Sequence, residues 1–259
     1  MHAVARPTID ISTSRAMRRA TTTTPSSSPT TSTAPPISLA SVRVVVWDVD
    51  GTLADSTSLG FDSTNQVLRS RGLPAIDRGE YLLGTKYTTP RRLAWHATKD
   101  ADHECGRELG DAFDALYVEL VSRETCGFYP GIMDVVRRLK GRGTRQAVLS
   151  NACGAYARRV IAANGVEDVM EACYGADDVS RAKPAPDGVI KIMHELRVDD
   201  GETLAYIGDA PSDGAAALAA GCLAIGVNWG SHDLRSAENA ANFHVVYDSP
   251  DELEAALFM

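Results

Sequence analysis

The chain has 259 residues, 44% hydrophobic and 23% charged, with a net charge of −8, so most of its length can build a sizeable core. That acidic balance argues against nucleic acids and anionic membranes as main partners, since those call for clustered Lys and Arg, and no apolar run approaches the roughly 20 residues that span a bilayer. Its five cysteines, Cys105, Cys126, Cys153, Cys173 and Cys222, form no CxxC and read as reduced thiols in a cytoplasmic-type compartment.

Residues 1–40 stand apart. "TTTTPSSSPTTSTAPP" has no large apolar side chain to bury and predicts a disordered extension. Arg6, Arg15, Arg18 and Arg19 against Asp10 also fit an organelle transit peptide, so cytoplasmic location and organelle import are both open. From Val42 the chain changes character. "VRVVVW" predicts a strand buried on both faces, which breaks into Asp48, Asp50, Gly51 and Thr52, with Asp55 read as a cap of the following segment. Like charges at that spacing repel and are costly to bury, so a cation should sit between them.

Residues 57–125 carry helical periodicity. Phe61, Val67 and Leu68 share a face ending at Gly72, and Leu109, Phe113, Leu116, Tyr117 and Leu120 recur at three- and four-residue spacing. Lys86, Arg91 and Arg92 read as a solvated helix face, although one of them could reach a substrate anion. Adjacent Arg91 and Arg92 cannot point the same way. Tyr81, Trp95 and Trp229 read as packing residues. The six histidines, His2, His96, His103, His194, His232 and His244, show no metal-ligand spacing and read as surface or packed side chains.

After "GFYPG" strand and helix alternate to the end of the chain, predicting an α/β fold with a parallel sheet covered on both faces. Ligands bind at the carboxyl ends of such strands. There the sequence places Asp48 and Asp50, then Ser150 and Asn151, then Lys183 before Pro184 at a helix start, then Asp209 and Asp213. This set describes a phosphoryl-transfer site. Mg²⁺ takes oxygen ligands, here Asp48, the backbone carbonyl of Val49 or Asp50, and Asp209. Asp48 is placed to attack phosphorus, and Asp50 to protonate the leaving oxygen and later deprotonate water. Amides around Gly51 and Thr52, together with Ser150, Asn151 and Lys183, would bind phosphate. Asp213 would reach the metal through water or orient Lys183.

In order and spacing, "DVDGTLADS", "VLSN", "KP" and "GDAPSD" resemble the four motifs of the haloacid dehalogenase superfamily, in its phosphoglycolate-phosphatase-like branch. The resemblance covers roughly residues 41–259. It implies a Rossmann-like three-layer core over 41–56 and 126–259, with an inserted α-helical cap over 57–125. It also implies Mg²⁺ dependence, metal ligation by Asp48, Asp50, Asp209 and Asp213, and a phosphoaspartate at Asp48. The second Asp favours phosphate-ester hydrolysis or phosphomutase chemistry over dehalogenation. "SNA" departs from the Thr-Asn-Lys found in many phosphoglycolate phosphatases and weakens the substrate assignment. The expected partner is a small phosphorylated metabolite and the expected assembly a monomer or homodimer. A β-phosphoglucomutase-like enzyme shares every core motif. A phospho-accepting signalling module uses similar residues, but its acceptor follows a middle strand and the helical insertion has no place in it.

Overall fold

The computed structural model describes residues 39–199 and 202–259, so the expectation for residues 1–40 lies almost wholly outside the described residues. Strand β1 (Val42–Trp47) is followed by four helices, α1 (Thr57–Ser70), α2 (Arg78–Gly84), α3 (Thr89–Thr98) and α4 (Cys105–Leu120). Then come α5 (Ile132–Gly141), β2 (Arg145–Leu149), α6 (Gly154–Ala163), β3 (Met170–Tyr174), α7 (Asp187–Glu195), β4 (Thr203–Gly208) and α8 (Pro211–Ala219). The chain ends with β5 (Leu223–Val227), α9 (Ala237–Ala240), β6 (Val245–Tyr247) and α10 (Pro250–Phe258).

All six strands pair in parallel, in the order β3-β2-β1-β4-β5-β6. Alternate residues of β1 explain its unbroken apolar run. Val45 and Trp47 pack with residues of α5, α6 and α10, while Val44 and Val46 pack with residues of α7 and α8 on the opposite face. The Trp47 indole donates to the Gln146 side-chain oxygen at 3.0 Å, satisfying two polar groups that the core encloses. Because β1 lies between β2 and β4, the chain order reverses beside it, and a crevice opens at the carboxyl ends of these strands.

The helices α1–α4 form an insertion between β1 and α5. Its two linkers run side by side: Asp55 N–H donates to the Gly127 carbonyl at 3.0 Å, and Tyr129 N–H to the Leu53 carbonyl at 2.9 Å. Val67, Leu109, Phe113 and Tyr117 are buried with Leu59 and Leu93 as the helical spacing predicts, whereas Leu68 and Phe61 pack with Tyr81 in a separate cluster and Leu120 is exposed. Two local expectations fail. Ser56, not Asp55, takes the N-cap position of α1, and its hydroxyl turns to Asp50 instead of capping. Pro184 follows a cis peptide bond and α7 begins only at Asp187, so Pro184 does not start that helix. The four-residue α9 is too short to leave a periodic signal.

Candidate active site

Strand β1 delivers Asp48 to the crevice with its backbone still paired, the Asp48 N–H donating to the Ile207 carbonyl at 2.9 Å. The chain then turns sharply, and the Val49 carbonyl accepts the amides of Thr52, Leu53 and Ala54 at 3.3, 3.0 and 2.9 Å. That carbonyl is engaged by its own turn, which leaves the Asp50 carbonyl as the backbone oxygen for a metal. Gly51 has φ +81°, and a Cβ there would lie 2.3 Å from Asp209 Oδ2, so the turn and the closeness of the carboxylate both demand glycine.

Lys183 is the hinge of the charge arrangement. Its Nζ donates to Asp48 Oδ1 at 2.6 Å, the Leu149 carbonyl at 3.0 Å and the Tyr206 hydroxyl at 2.9 Å, and pairs with Asp213 at 2.7 Å. Burial works against its ammonium, but Asp213 and Asp48 outweigh it and hold Lys183 charged. Burial pushes the Asp48 carboxyl well above the usual carboxylate range, and Lys183 opposes the rise while Asp213, Asp209 and Asp50 add to it. Asp213, the third residue of α8, accepts the Ala210 amide at 2.9 Å and so both caps the helix and orients the lysine. Asp209 accepts the Ser231 amide at 2.7 Å, and His232 Nδ1 lies 3.5 Å away.

Oxygens of Asp48, Asp209 and Asp213, all buried, lie within 4.8 Å of one another. Three enclosed carboxylates against one lysine leave an excess of negative charge, and an all-oxygen donor set suits Mg²⁺, so the residues present fit that ion. The Asp50 carboxylate lies outside this cluster, so the residue's backbone carbonyl is the oxygen it would offer a metal. The carboxylate turns to the hydroxyls of Ser56, Tyr156 and Tyr117 at 2.5, 2.6 and 3.3 Å.

The expected phosphate-binding residues divide. Ser150 lines the crevice, its Oγ accepting the Ala152 amide at 3.0 Å and lying 3.5 Å from Asp50 Oδ2. Lys183 also lines it, although every contact described above is to a protein atom. Asn151 reaches the wall, one N–H of its amide donating to the Lys183 carbonyl at 3.1 Å and the other left for a ligand. The Gly51 and Thr52 amides, expected to cradle phosphate, donate within the turn to the Ala54 carbonyl at 3.0 Å and the Val49 carbonyl at 3.3 Å, and the Thr52 side chain is wholly buried. The Thr52 carbonyl accepts the Trp229 indole at 3.1 Å.

The insertion closes the other side with Tyr81, Thr85, Tyr87, Thr89, Arg92 and Tyr117. Arg91 and Arg92 diverge as the helix requires. Arg91 pairs outside with Asp102 at 3.0 Å, while Arg92 faces the crevice, its guanidinium 4.6 Å from the Phe113 ring centre and 5.6 Å from that of Tyr81. Its Nε is buried without a hydrogen-bond partner, so the solvated-face expectation fails for Arg92. Sequence reasoning also missed Tyr117, Tyr156 and His232. His232 follows β5, another strand end, and extending the strand-end rule to "GVNWGSHD" would have found it. Its Nε2 lies 3.5 Å from the Thr85 hydroxyl of the insertion.

A model of haloacid dehalogenase-like hydrolases matches residues 45–227. Phosphoglycolate phosphatase of Photorhabdus laumondii is 26% identical over 196 residues, covering 74% of this chain and 82% of that protein. The probable phosphatase IndB of Dickeya dadantii is 28% identical over 214 residues, covering 82% of this chain and 92% of that one. Among solved structures, CbbY of Rhodobacter sphaeroides in complex with phosphate is alike in fold, with a TM-score of 0.71 at 22% identity over 84% of this chain and 100% of that one. With the match running from β1 through β5 and so across all four motifs, the chain belongs to the haloacid dehalogenase-like hydrolases.

Proposed function

We propose that the protein is a Mg²⁺-dependent phosphatase that hydrolyses a small phosphomonoester of the phosphoglycolate type through an aspartyl-phosphate at Asp48. The observation that carries this reading is the buried Asp48 at the end of β1, tied to Lys183 at 2.6 Å and grouped with Asp209 and Asp213 beneath an open crevice. The relatives named phosphoglycolate phosphatase support the same reading.

Lys183 holds Asp48 Oδ1, which leaves the other carboxylate oxygen to attack phosphorus in line. As that O–P bond forms, the bond from phosphorus to the leaving oxygen breaks, and Asp50 gives its proton to that oxygen. Asp50 then takes a proton from water. The resulting hydroxide oxygen attacks phosphorus, the Asp48–phosphoryl bond breaks, and inorganic phosphate leaves with Asp48 again a carboxylate. Asp48, Asp209 and the Asp50 carbonyl would hold Mg²⁺, which when bound would neutralise charge on the phosphoryl oxygens. Ser150 and Asn151 line the space for the phosphoryl group. The insertion acts as the cap, and its unpaired Arg92 supports an ester whose alcohol bears a second anionic group, as glycolate does.

The test is phosphate release from a panel of small phosphomonoesters, including 2-phosphoglycolate and hexose 1-phosphates, with and without Mg²⁺, for wild type and Asp48→Asn. Metal-dependent release that Asp48→Asn abolishes is the expected result. No release from any ester by folded, Mg²⁺-supplied protein overturns the reading.

A further inference from the structure

Asp50 is held differently from every other carboxylate of the crevice. Asp48 and Asp213 meet an ammonium, and Asp209 meets a backbone amide with His232 beside it. Asp50 Oδ1 instead accepts three hydroxyls: Ser56 Oγ at 2.5 Å, Tyr156 at 2.6 Å and Tyr117 at 3.3 Å. Its other oxygen, Oδ2, lies 3.5 Å from Ser150 Oγ. A carboxylate oxygen offers about two lone pairs, so three donors fill Oδ1 and leave no place there for a proton.

The two tyrosines come from different parts of the chain. Tyr117 lies on α4 of the insertion and Tyr156 on α6 of the sheet layer, and their rings stack with centres 4.0 Å apart at 13°. Tyr156 is wholly buried, and behind its hydroxyl, at 3.2 Å, sits the Cys126 thiol, which can donate to it once the phenol has donated to Asp50. Both phenol hydroxyls are donors to Asp50 Oδ1, which as a carboxylate oxygen only accepts.

We propose that Tyr156 and Tyr117 are positioning residues for proton transfer by Asp50. They occupy Oδ1, so that Oδ2 alone exchanges the proton with the leaving oxygen, and Tyr117 makes this aim depend on where the insertion sits. The proposal rests on the phosphatase reading, because it concerns the acid that protonates the departing alcohol. A pair that merely packs would lose nothing specific when each phenol becomes a phenyl, since the stacked rings remain.

The experiment measures kcat/KM of wild type, Tyr156→Phe and Tyr117→Phe, with thermal melts to verify folding. Two esters are compared: the alkyl phosphate that wild type hydrolyses best, whose alkoxide must be protonated as it leaves, and p-nitrophenyl phosphate, whose phenoxide leaves unaided. For a reaction through a covalent phosphoryl intermediate, kcat/KM covers steps up to release of the alcohol and so isolates the acid function. Tyr156→Phe is expected to lower kcat/KM at least about tenfold on the alkyl ester and less than about threefold on the aryl ester. Tyr117→Phe, which removes the longer hydrogen bond, should act in the same direction but less. Equal losses on both esters, or no loss on either, overturn the positioning role alone. Failure of folded wild type to hydrolyse either ester overturns the phosphatase reading, and the positioning role falls with it.

Discussion

The carboxyl edge of the sheet and the helical insertion facing it treat polar groups in opposite ways. At the sheet edge Lys183 has four acceptors around its ammonium and Asp213 is bound to both a lysine and an amide. On the insertion Arg92 keeps a buried Nε without a partner, amid a wall of Thr and Tyr hydroxyls. A site whose charges are answered internally is organised before any ligand arrives, which is what electrostatic stabilisation of a transition state requires. On the wall the Arg92 guanidinium is met by the Phe113 and Tyr81 rings and, among the described residues, by no carboxylate hydrogen bond, so its charge is less fully compensated than that of Lys183. On the proposed function, the edge would serve the chemistry common to phosphate esters and the insertion the remainder of the ester.

Breaking the edge should cost the most. Asp48→Asn removes the nucleophile and should lower activity on the order of 10⁴-fold or more on every ester alike, with folding retained in a thermal melt. Lys183→Met strips the cation from two buried carboxylates. It should destabilise the protein by about 3–5 kcal/mol in denaturant unfolding, because an unpaired buried charge costs more than the pair contributes. A loss under about 1 kcal/mol would mean that the edge is less tightly paired than its distances indicate.

Mg²⁺ sharpens the same comparison. An ion that binds only the folded state stabilises it by about 2.7 kcal/mol at a hundred times its dissociation constant, and the wild-type melting temperature should rise accordingly. Asp209→Asn should remove that rise and Arg92→Gln should preserve it, since Asp209 belongs to the carboxylate cluster and Arg92 lies across the crevice from the sheet edge. Arg92→Gln should instead raise KM about tenfold or more for an ester with a second anion, in line with the ~1.5–3 kcal/mol of a hydrogen bond to a charged group. Its KM for p-nitrophenyl phosphate should change little. Uniform loss on both esters would move Arg92 from the specificity wall to the phosphoryl site.

The same contrast governs what was legible in the sequence. Strand ends at a topological switch point must converge, so Asp48, Ser150, Lys183, Asp209 and Asp213 could be brought to one edge from their order alone. What order cannot supply is rotation about the last few bonds. The motif does not tell that the Asp50 carboxylate turns to the hydroxyls of Ser56 and Tyr156, or that the turn's own carbonyls take the Gly51 and Thr52 amides. On the insertion, periodicity placed Tyr117 on the inward face correctly but could not tell that its hydroxyl would meet a carboxylate. Arg91 and Arg92 differ by about 100° around one helix, and only the position of Asp102 and the crevice decides which of them serves the site.

The smallest expected effect lies in the insertion, away from the crevice wall. His96 is buried with both ring nitrogens unpartnered, stacked near Tyr81. Burial, with Arg92 and Lys99 nearby, lowers its pKa to about 3 from an ordinary 6.5. Below pH 6.5 the unfolded chain takes up a proton that the folded chain refuses until about pH 3, so this residue costs stability progressively as pH falls through that window. Asp114, on α4, has the opposite sign: burial raises its carboxyl from 3.8 to about 6, so it binds its proton earlier when folded and adds stability as pH falls from 6 towards 3.8. His96→Leu removes two orphaned polar atoms and should leave stability at pH 7 unchanged or higher by about 1 kcal/mol. Its melting temperature relative to wild type should then climb as pH falls from 6.5 to 3, whereas that of Asp114→Asn should decline between 6 and 3.8. Parallel curves for His96→Leu and wild type would mean that the ring is protonated in the folded insertion, and so that water or an acceptor reaches it there.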